Sequence, residues 1–551
     1  MAAAQGGKTT KESTQDLIIS VVIAFALAFV FRGFVVEAFV IPTGSMAPTL
    51  MGAHERFRGK ETGYTWAVGP WDWDPRSPQS YYPRQGTAQR PVRVHDPMSG
   101  QVDSRVGMPR LSGDRILVLK YLYSVLGPER FDVVVFKFKE PVQSEVNYIK
   151  RLTGLPGEEI AIVDGDVFFR KHEDKPVASG DPDNRWAEAG WQVARKPVHV
   201  QAAMWQKVFD SDFAPRSSTT AGKVRTTPWT SQQPGWNLGG QVYEYAGRGA
   251  TELVWDSTLL RFDDRTIDFK DTWAIDDRYP YDETPVPYKP LGHPGTRYPV
   301  SDLRMGAGIE PTGPGLVARA TMVARGHLFQ MELTEQAAVL RMRPQGSDAP
   351  WHEVGRAEVH ALSPGRVANV RFVHADQTLE AWVDGTRVAR HAYEWSPAER
   401  IAFATGKSVA ELREAEKPGA LSIYGDPTIY ASARISWSFD GAGVKLHRVS
   451  LDRDIFYQPA GPMGSTARGS RPEAPMVLND DQFFVCGDNS PQSLDARLWN
   501  APEPFVREID PTEGVVPRKL MLGKAFFVYF PALHEEATLP VPDFGRMRFI
   551  W

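Results

Sequence analysis

A single cysteine, Cys486, occurs in 551 residues, which excludes any intramolecular disulfide and any CxxC-type zinc site. Stability outside the cytoplasm must then come from packing, and Cys486 itself reads as a buried, inert thiol. Histidine is sparse: the 12 copies are scattered and form no HExxH-like pair, so no metal and no cofactor is expected. His54 reads as polarity in an irregular loop. A strong excess of either charge is missing as well, with 63 Lys plus Arg against 67 Asp plus Glu. The net charge of -4 and the lack of a basic run leave no electrostatic footprint for nucleic acid.

Long apolar runs are absent except near the start, where residues 17–31 read LIISVVIAFALAFVF without a charge. A bilayer crossing needs about 20 mostly apolar residues. The run reaches that length when Arg32 snorkels and Phe34 to Val36 extend it. An uncleaved anchor over residues 17–36, behind a tail of residues 1–16, is therefore expected. The competing reading is a cleaved signal peptide, because Lys8 and Lys11 precede the run. The absence of a clear small-x-small site before a polar start favours the anchor. Glu12 and Asp16 offset the two lysines, so charge alone does not set the orientation.

What is plentiful is strand-forming sequence. Residues 52–112 are rich in Gly, Pro, Arg and Trp and read as a long irregular excursion. From Asp114 the runs RILVLKYLY, FDVVVFKF and NYIKRLTGLPGEEIAIVDGDVFF predict strands separated by turns. Further on, Phe329, Met331 and Leu333 alternate with Gln330 and Glu332. Leu379, Ala381 and Val383 alternate with Glu380 and Trp382 ahead of an Asp384-Gly385 turn, and Ile435, Trp437 and Phe439 repeat the period of two. Such strands argue for an antiparallel β-sandwich with one solvated face. After about Val477 the first kind of strand returns. The expected fold class is mainly β: a transmembrane helix, then a β-domain built from residues 37–190 and 453–551, interrupted by a sandwich within residues 191–452. Closing a longer surface loop costs little, so such an interruption is tolerated.

Three short segments stand out: IPTGSMAPTL around Ser45, NYIKR around Lys150, and GDNSPQSLDAR from Gly487 to Arg497. Together, in this order behind one apolar segment, they resemble the bacterial type I signal peptidases, whose nucleophilic serine lies in a P-S/T-G-S-M segment and whose lysine base lies in Y-I-K-R. GDRILVLKYLY and RLTGLPGEE also resemble that family. The resemblance covers the chain's start, residues 110–170 and the C-terminal portion, and not the long interruption. There, VANVRFVHADQTLEAWVDGTRVA resembles one strand–turn–strand of laminin-G or concanavalin-like sandwiches.

The resemblance implies a Ser45–Lys150 dyad, and elementary chemistry agrees with it. A serine hydroxyl must lose its proton as it attacks a carbonyl, and lysine can take that proton only when desolvation has lowered its pKa from about 10.4. By the same resemblance, the backbone N–H of Ser45 and the hydroxyl of Thr43 form the oxyanion hole, Thr43 standing where many relatives have Ser. Ser493 matches a serine that hydrogen-bonds the lysine. Asp495 and Arg497 match a supporting pair, and Asp488 and Arg151 are structural partners. For these four charged residues, surface salt bridging and a direct catalytic effect are equally open readings. Ile41, Pro42, Met46, Leu50, Tyr148 and Ile149 match the apolar lining of the substrate pockets, with ordinary core as the alternative.

The resemblance further implies cleavage of exported preproteins after small-x-small motifs, at the bacterial cytoplasmic membrane, by a single-pass protein with its catalytic domain on the outer, periplasmic side. The expected partners are preproteins bearing signal peptides, the lipid bilayer, and a glycan or protein recognised by the sandwich. Two alternatives stand beside this reading. One is a self-cleaving Ser–Lys protease, and the other is a membrane-anchored glycan- or protein-binding protein whose peptidase part is degenerate.

Overall fold

The computed structural model describes residues 16–26, 36–69, 92–105, 111–138, 146–171, 181, 183–215, 227–257, 273–283, 297–346, 348–417, 422–461, 465–500, 504–531 and 544–551. The chain is mainly β. One eight-stranded sheet gathers both ends of the sequence, in the order Val36–Val40, Arg115–Leu119, Met521–Phe530, Val133–Phe138, Val146–Gly154, Gln482–Cys486 and Val516–Pro517, with Arg548–Phe549 pairing against Met521–Phe530.

The sequence of the strand Val133–Phe138 explains its central place. Alternate residues of a strand face opposite sides. Val133 and Val135 pack into a cluster with Ile41, Met46, Leu50, Ile116 and Ile149, while Val134 and Phe136 join Leu152, Phe484 and Val485 on the other face. A β-branched run covered on both faces belongs in the interior of a sheet. A four-stranded sheet, Gln192–Val193, Asp166–Lys171, Glu158–Val163 and Met476–Val477, continues this region.

Between the two parts of that sheet lies a unit of two antiparallel sheets. Its eight-stranded sheet runs through Val444–Arg453, Leu303–Pro311, Ala368–Ala375 and Thr378–Val383; its seven-stranded sheet runs through Arg434–Asp440, Val317–Ala324, His327–Leu333 and Ala337–Pro344. The period-two residues meet in one core, where Phe329, Met331, Trp437 and Phe439 pack with Met305, Ile309, Phe372 and Leu446. Buried ion pairs join this unit to the hairpin of Glu158–Val163 and Asp166–Lys171. Asp164 takes Arg325 Nε at 2.7 Å and Arg400 Nε at 2.9 Å, and Asp166 takes Arg400 Nη2 at 2.7 Å. A third carboxylate near them, Asp302, pairs with Arg325.

Two expectations need correction or restriction. Residues 52–112 are not irregular throughout: Glu55–Arg58 pairs with Thr65–Val68, and Val92–His95 with Val102–Arg105. Strands of four residues are too short to display a period, which is why ERFR and VRVH gave no signal. Of the expected anchor, residues 16–26 are helical, with Leu17, Ile18, Val22 and Phe25 exposed, while residues 27–35 lie outside the described residues. Among the described residues no helix is long and apolar enough to cross a membrane.

Candidate active site

The segment before the second strand of the large sheet forms a tight turn. Gly44–Met46 is a single 3-10 turn, closed by the Ala47 N–H donating to Gly44 O at 2.9 Å. Met46, the last residue of the turn, and Leu50, just after it, are fully buried beside Ile116, Val133 and Ile149. These apolar anchors fix the turn on the sheet, and Ser45, immediately before Met46, remains partly exposed.

Lys150 comes from the strand Val146–Gly154, where it stands opposite Val134 and shares its face with Tyr148 and Leu152. Its Nζ lies 2.8 Å from Ser45 Oγ and donates to Ile149 O at 3.0 Å. The side chain is buried, with 3 % of the residue exposed. Burial lowers the amine to about 8, while the carboxylates of Asp495 and Asp488 pull the other way. Desolvation dominates because a buried ammonium loses its hydration, whereas both carboxylates are already committed to arginines. Thr43 Oγ1 lies 3.5 Å from Ser45 Oγ.

Those arginine partners are not on the surface. Arg151 makes a two-pronged bond to Asp488, both N···O distances being 2.7 Å, with both side chains wholly buried. Arg151 Nη1 also donates to the carbonyls of Phe131 and Trp551. Arg497 pairs with Asp495 at 2.9 and 2.8 Å, and Asp495 accepts the Gly487 N–H at 2.8 Å. The surface-salt-bridge reading of these four residues is therefore corrected: Arg151–Asp488 ties the segment carrying Gly487 to the strand carrying Lys150, and Arg497–Asp495 braces that segment internally.

Two further expectations differ from the geometry. Ser493 Oγ is buried but has no hydrogen-bond partner, so the expected bond to the lysine is absent. His54 is not loop polarity: it is fully buried, its Nδ1 lies 2.8 Å from Gly52 O, and burial lowers it to about 4. Among the expected pocket residues, Ile41, Met46, Leu50 and Ile149 are buried in the sheet's core, whereas Pro42 is exposed and Tyr148 half-buried. Cys486 is fully buried and burial pushes its thiol up, which keeps it protonated and unreactive.

Gly487 and Asn489 were not singled out in the sequence, and both touch the serine turn. A methyl group on Gly487 would fall 2.2 Å from Ser493 Oγ and 2.5 Å from the Ser45 carbonyl oxygen, so only glycine fits. Asn489 donates its backbone N–H to Ser45 O at 3.1 Å and its Nδ2 to Gly44 O at 3.1 Å. Their positions within GDNS, next to Asp488, were the available signal.

A hydroxyl held against a desolvated amine is an arrangement in which the amine, when neutral, can take the hydroxyl proton. Residues 96–206, which include Lys150, match the family described as Signal peptidase, peptidase S26. Signal peptidase I of Rickettsia bellii (strain OSU 85-389) is 25 % identical over 173 residues, covering 31 % of this chain and 44 % of that protein. Signal peptidase I of Buchnera aphidicola subsp. Baizongia pistaciae (strain Bp) is 39 % identical over 71 residues, covering 11 % and 23 %. The chain thus spans less than half the length of these curated relatives. These similarities support a peptidase of the signal peptidase type. Among solved structures, a carbohydrate binding module CBM66 from Bacillus subtilis covers 41 % of this chain and 96 % of its own at 9 % identity, with a TM-score of 0.22, a likeness too slight to carry an argument.

Proposed function

We propose that the protein is a type I signal peptidase, a membrane-bound serine endopeptidase that removes signal peptides from exported preproteins with a Ser45–Lys150 dyad. The observation that carries this reading is the 2.8 Å approach of Ser45 Oγ to a buried Lys150 Nζ. With its amine near 8, about half the molecules hold neutral Lys150 at pH 8, against roughly 1 in 250 for a lysine at 10.4.

In the proposed reaction, Ser45 Oγ attacks the scissile carbonyl and its proton passes to Lys150 Nζ. The resulting oxyanion is met by the Ser45 N–H and the Thr43 hydroxyl, donors that act on charge appearing only in the transition state. Collapse of the intermediate breaks the C–N bond, and the Lys150 ammonium returns its proton to the leaving amine. Water, deprotonated by Lys150, then hydrolyses the acyl-enzyme and releases Ser45. Arg151–Asp488 and Arg497–Asp495 position the groups, and Pro42 and Tyr148 border the substrate. The segment that begins with the apolar run of residues 17–31 and ends before the strand Val36–Val40 would anchor the chain in the cytoplasmic membrane, with the site on its outer side.

The interruption within residues 191–452 is read as an inserted β-sandwich. A partner-binding role for it has one feature in its favour: a cleft of about 280 Å³ lined by Arg195, Trp205, Arg304, Arg371 and Trp382, among others. The test of the main reading is incubation of the full chain in detergent with a preprotein ending its signal in a small-x-small motif, followed by N-terminal sequencing. A single new N-terminus after that motif is expected; an intact preprotein would refute the reading.

A further inference from the structure

A peptide group is planar and trans, so its C=O and N–H point in opposite directions and fixing one aims the other. The group between Gly44 and Ser45 carries the Ser45 N–H, the proposed oxyanion donor. Its oxygen, Gly44 O, accepts Asn489 Nδ2 at 3.1 Å, and the next carbonyl, Ser45 O, accepts the Asn489 N–H at 3.1 Å. Asn489 therefore holds the carbonyls on both sides of the serine. Its amide is oriented in turn by Asp282, whose Oδ1 accepts Asn489 Nδ2 at 2.8 Å. With two acceptors on the Nδ2 side, a flipped amide would set oxygen against oxygen.

Asp282 closes the turn Pro280–Asp282, which belongs to the chain between Thr251–Trp255 and Leu303–Pro311, strands of the two-sheet unit. The same short segment makes four other contacts at and around the site. Tyr281 donates its hydroxyl to Ala53 O at 2.7 Å and accepts the Gly69 N–H at its carbonyl at 2.8 Å. Its ring fills the space above Gly44, where an added Cβ would fall 2.0 Å from Tyr281 Cε1. Tyr279 donates to Asp488 O at 2.7 Å. A packing role alone would need only apolar cover, whereas here a carboxylate ends a chain of polar bonds on the peptide that carries the oxyanion donor.

Resting on the peptidase reading, we propose that the interrupting region is part of the active site, with Asp282 a positioning residue that aims the Ser45 N–H through Asn489, and Tyr281 the cover that keeps the serine turn seated.

The test uses the full chain with a small-x-small peptide, measuring kcat, KM and the pH profile of wild type, Asp282→Ala, Asp282→Asn, Asn489→Ala and the Asp282→Ala/Asn489→Ala double variant. A misaimed donor affects the transition state rather than substrate binding, so Asp282→Ala is expected to lose about 10- to 100-fold in kcat with KM within about 2-fold. The midpoint of the pH profile should stay put, because Lys150 keeps its surroundings. Asp282→Asn retains an acceptor oxygen and should recover to within about 3-fold of wild type. Groups acting in one chain are non-additive, so the double variant should be no slower than Asn489→Ala, and the conservative Asp282→Asn keeps the inference open to refutation if Asp282→Ala folds poorly. Wild-type kcat in folded Asp282→Ala, or multiplying losses in the double variant, would overturn the inference alone. A wild-type chain that cleaves no such peptide would overturn the peptidase reading and this inference with it.

Discussion

Replacing Lys150 by Met should stabilise the fold at neutral pH while abolishing activity, and the stabilisation should vanish in alkali. An ordinary lysine titrates near 10.4, and burial brings Lys150 to about 8. That difference corresponds to about 3 kcal/mol against the folded state when the amine is charged. The folded value lies below the unfolded one, so the unfolded chain binds the proton more tightly. The cost is present in full below pH 8 and fades as pH rises toward 10.4. Methionine also forfeits the bonds to Ser45 Oγ and Ile149 O, at about 1 kcal/mol each. The net gain is then about 1 kcal/mol at pH 7. Between pH 7 and 9.5 the difference between variant and wild type should move by about 2 kcal/mol in favour of the wild type, reversing its sign. Urea unfolding of both proteins at pH 7, 8, 9 and 9.5 measures this. A difference that stays constant across those pH values would refute the desolvated-amine argument.

Other outcomes follow from the same geometry. In wild type, kcat/KM for a peptide substrate should rise with pH to a half-maximum near 8, as neutral Lys150 accumulates; a plateau already reached at pH 6 would contradict this. Thr43→Val removes one proposed oxyanion donor and should lower kcat about 100- to 1000-fold with the fold intact by circular dichroism. Gly487→Ala forces a methyl against Ser493 and the Ser45 carbonyl, so cleavage should fall at least about 100-fold, whereas an active variant would show that the turn has room. Arg400→Met leaves Asp164 and Asp166 buried without that partner and should destabilise the protein by about 3–5 kcal/mol, read by thermal unfolding.

The period-two residues made the strands legible. Phe329, Met331 and Leu333 needed only alternation to predict their place in a sandwich, and VVVFKF needed only its β-branched run to predict a strand. Ser45 and Lys150 were legible through their motifs, since local sequence sets the turn and the strand that present them. Partnerships were not. Nothing in YPYD signals that Tyr279, Tyr281 and Asp282 reach Asp488, Ala53 and Asn489, because such bonds depend on how distant segments dock. Burial of Arg151 and Arg497 was likewise hidden, since a charged residue reads as exposed until its partner is known. Ser493 shows the opposite limit: a motif match predicted a bond to Lys150, while its hydroxyl sits unpaired.

The most direct test of the dyad is processing of a preprotein by purified Ser45→Ala and Lys150→Ala proteins, each shown to be folded. Neither should release the mature product under conditions in which the wild-type chain cleaves completely. Full cleavage by either variant would contradict the account.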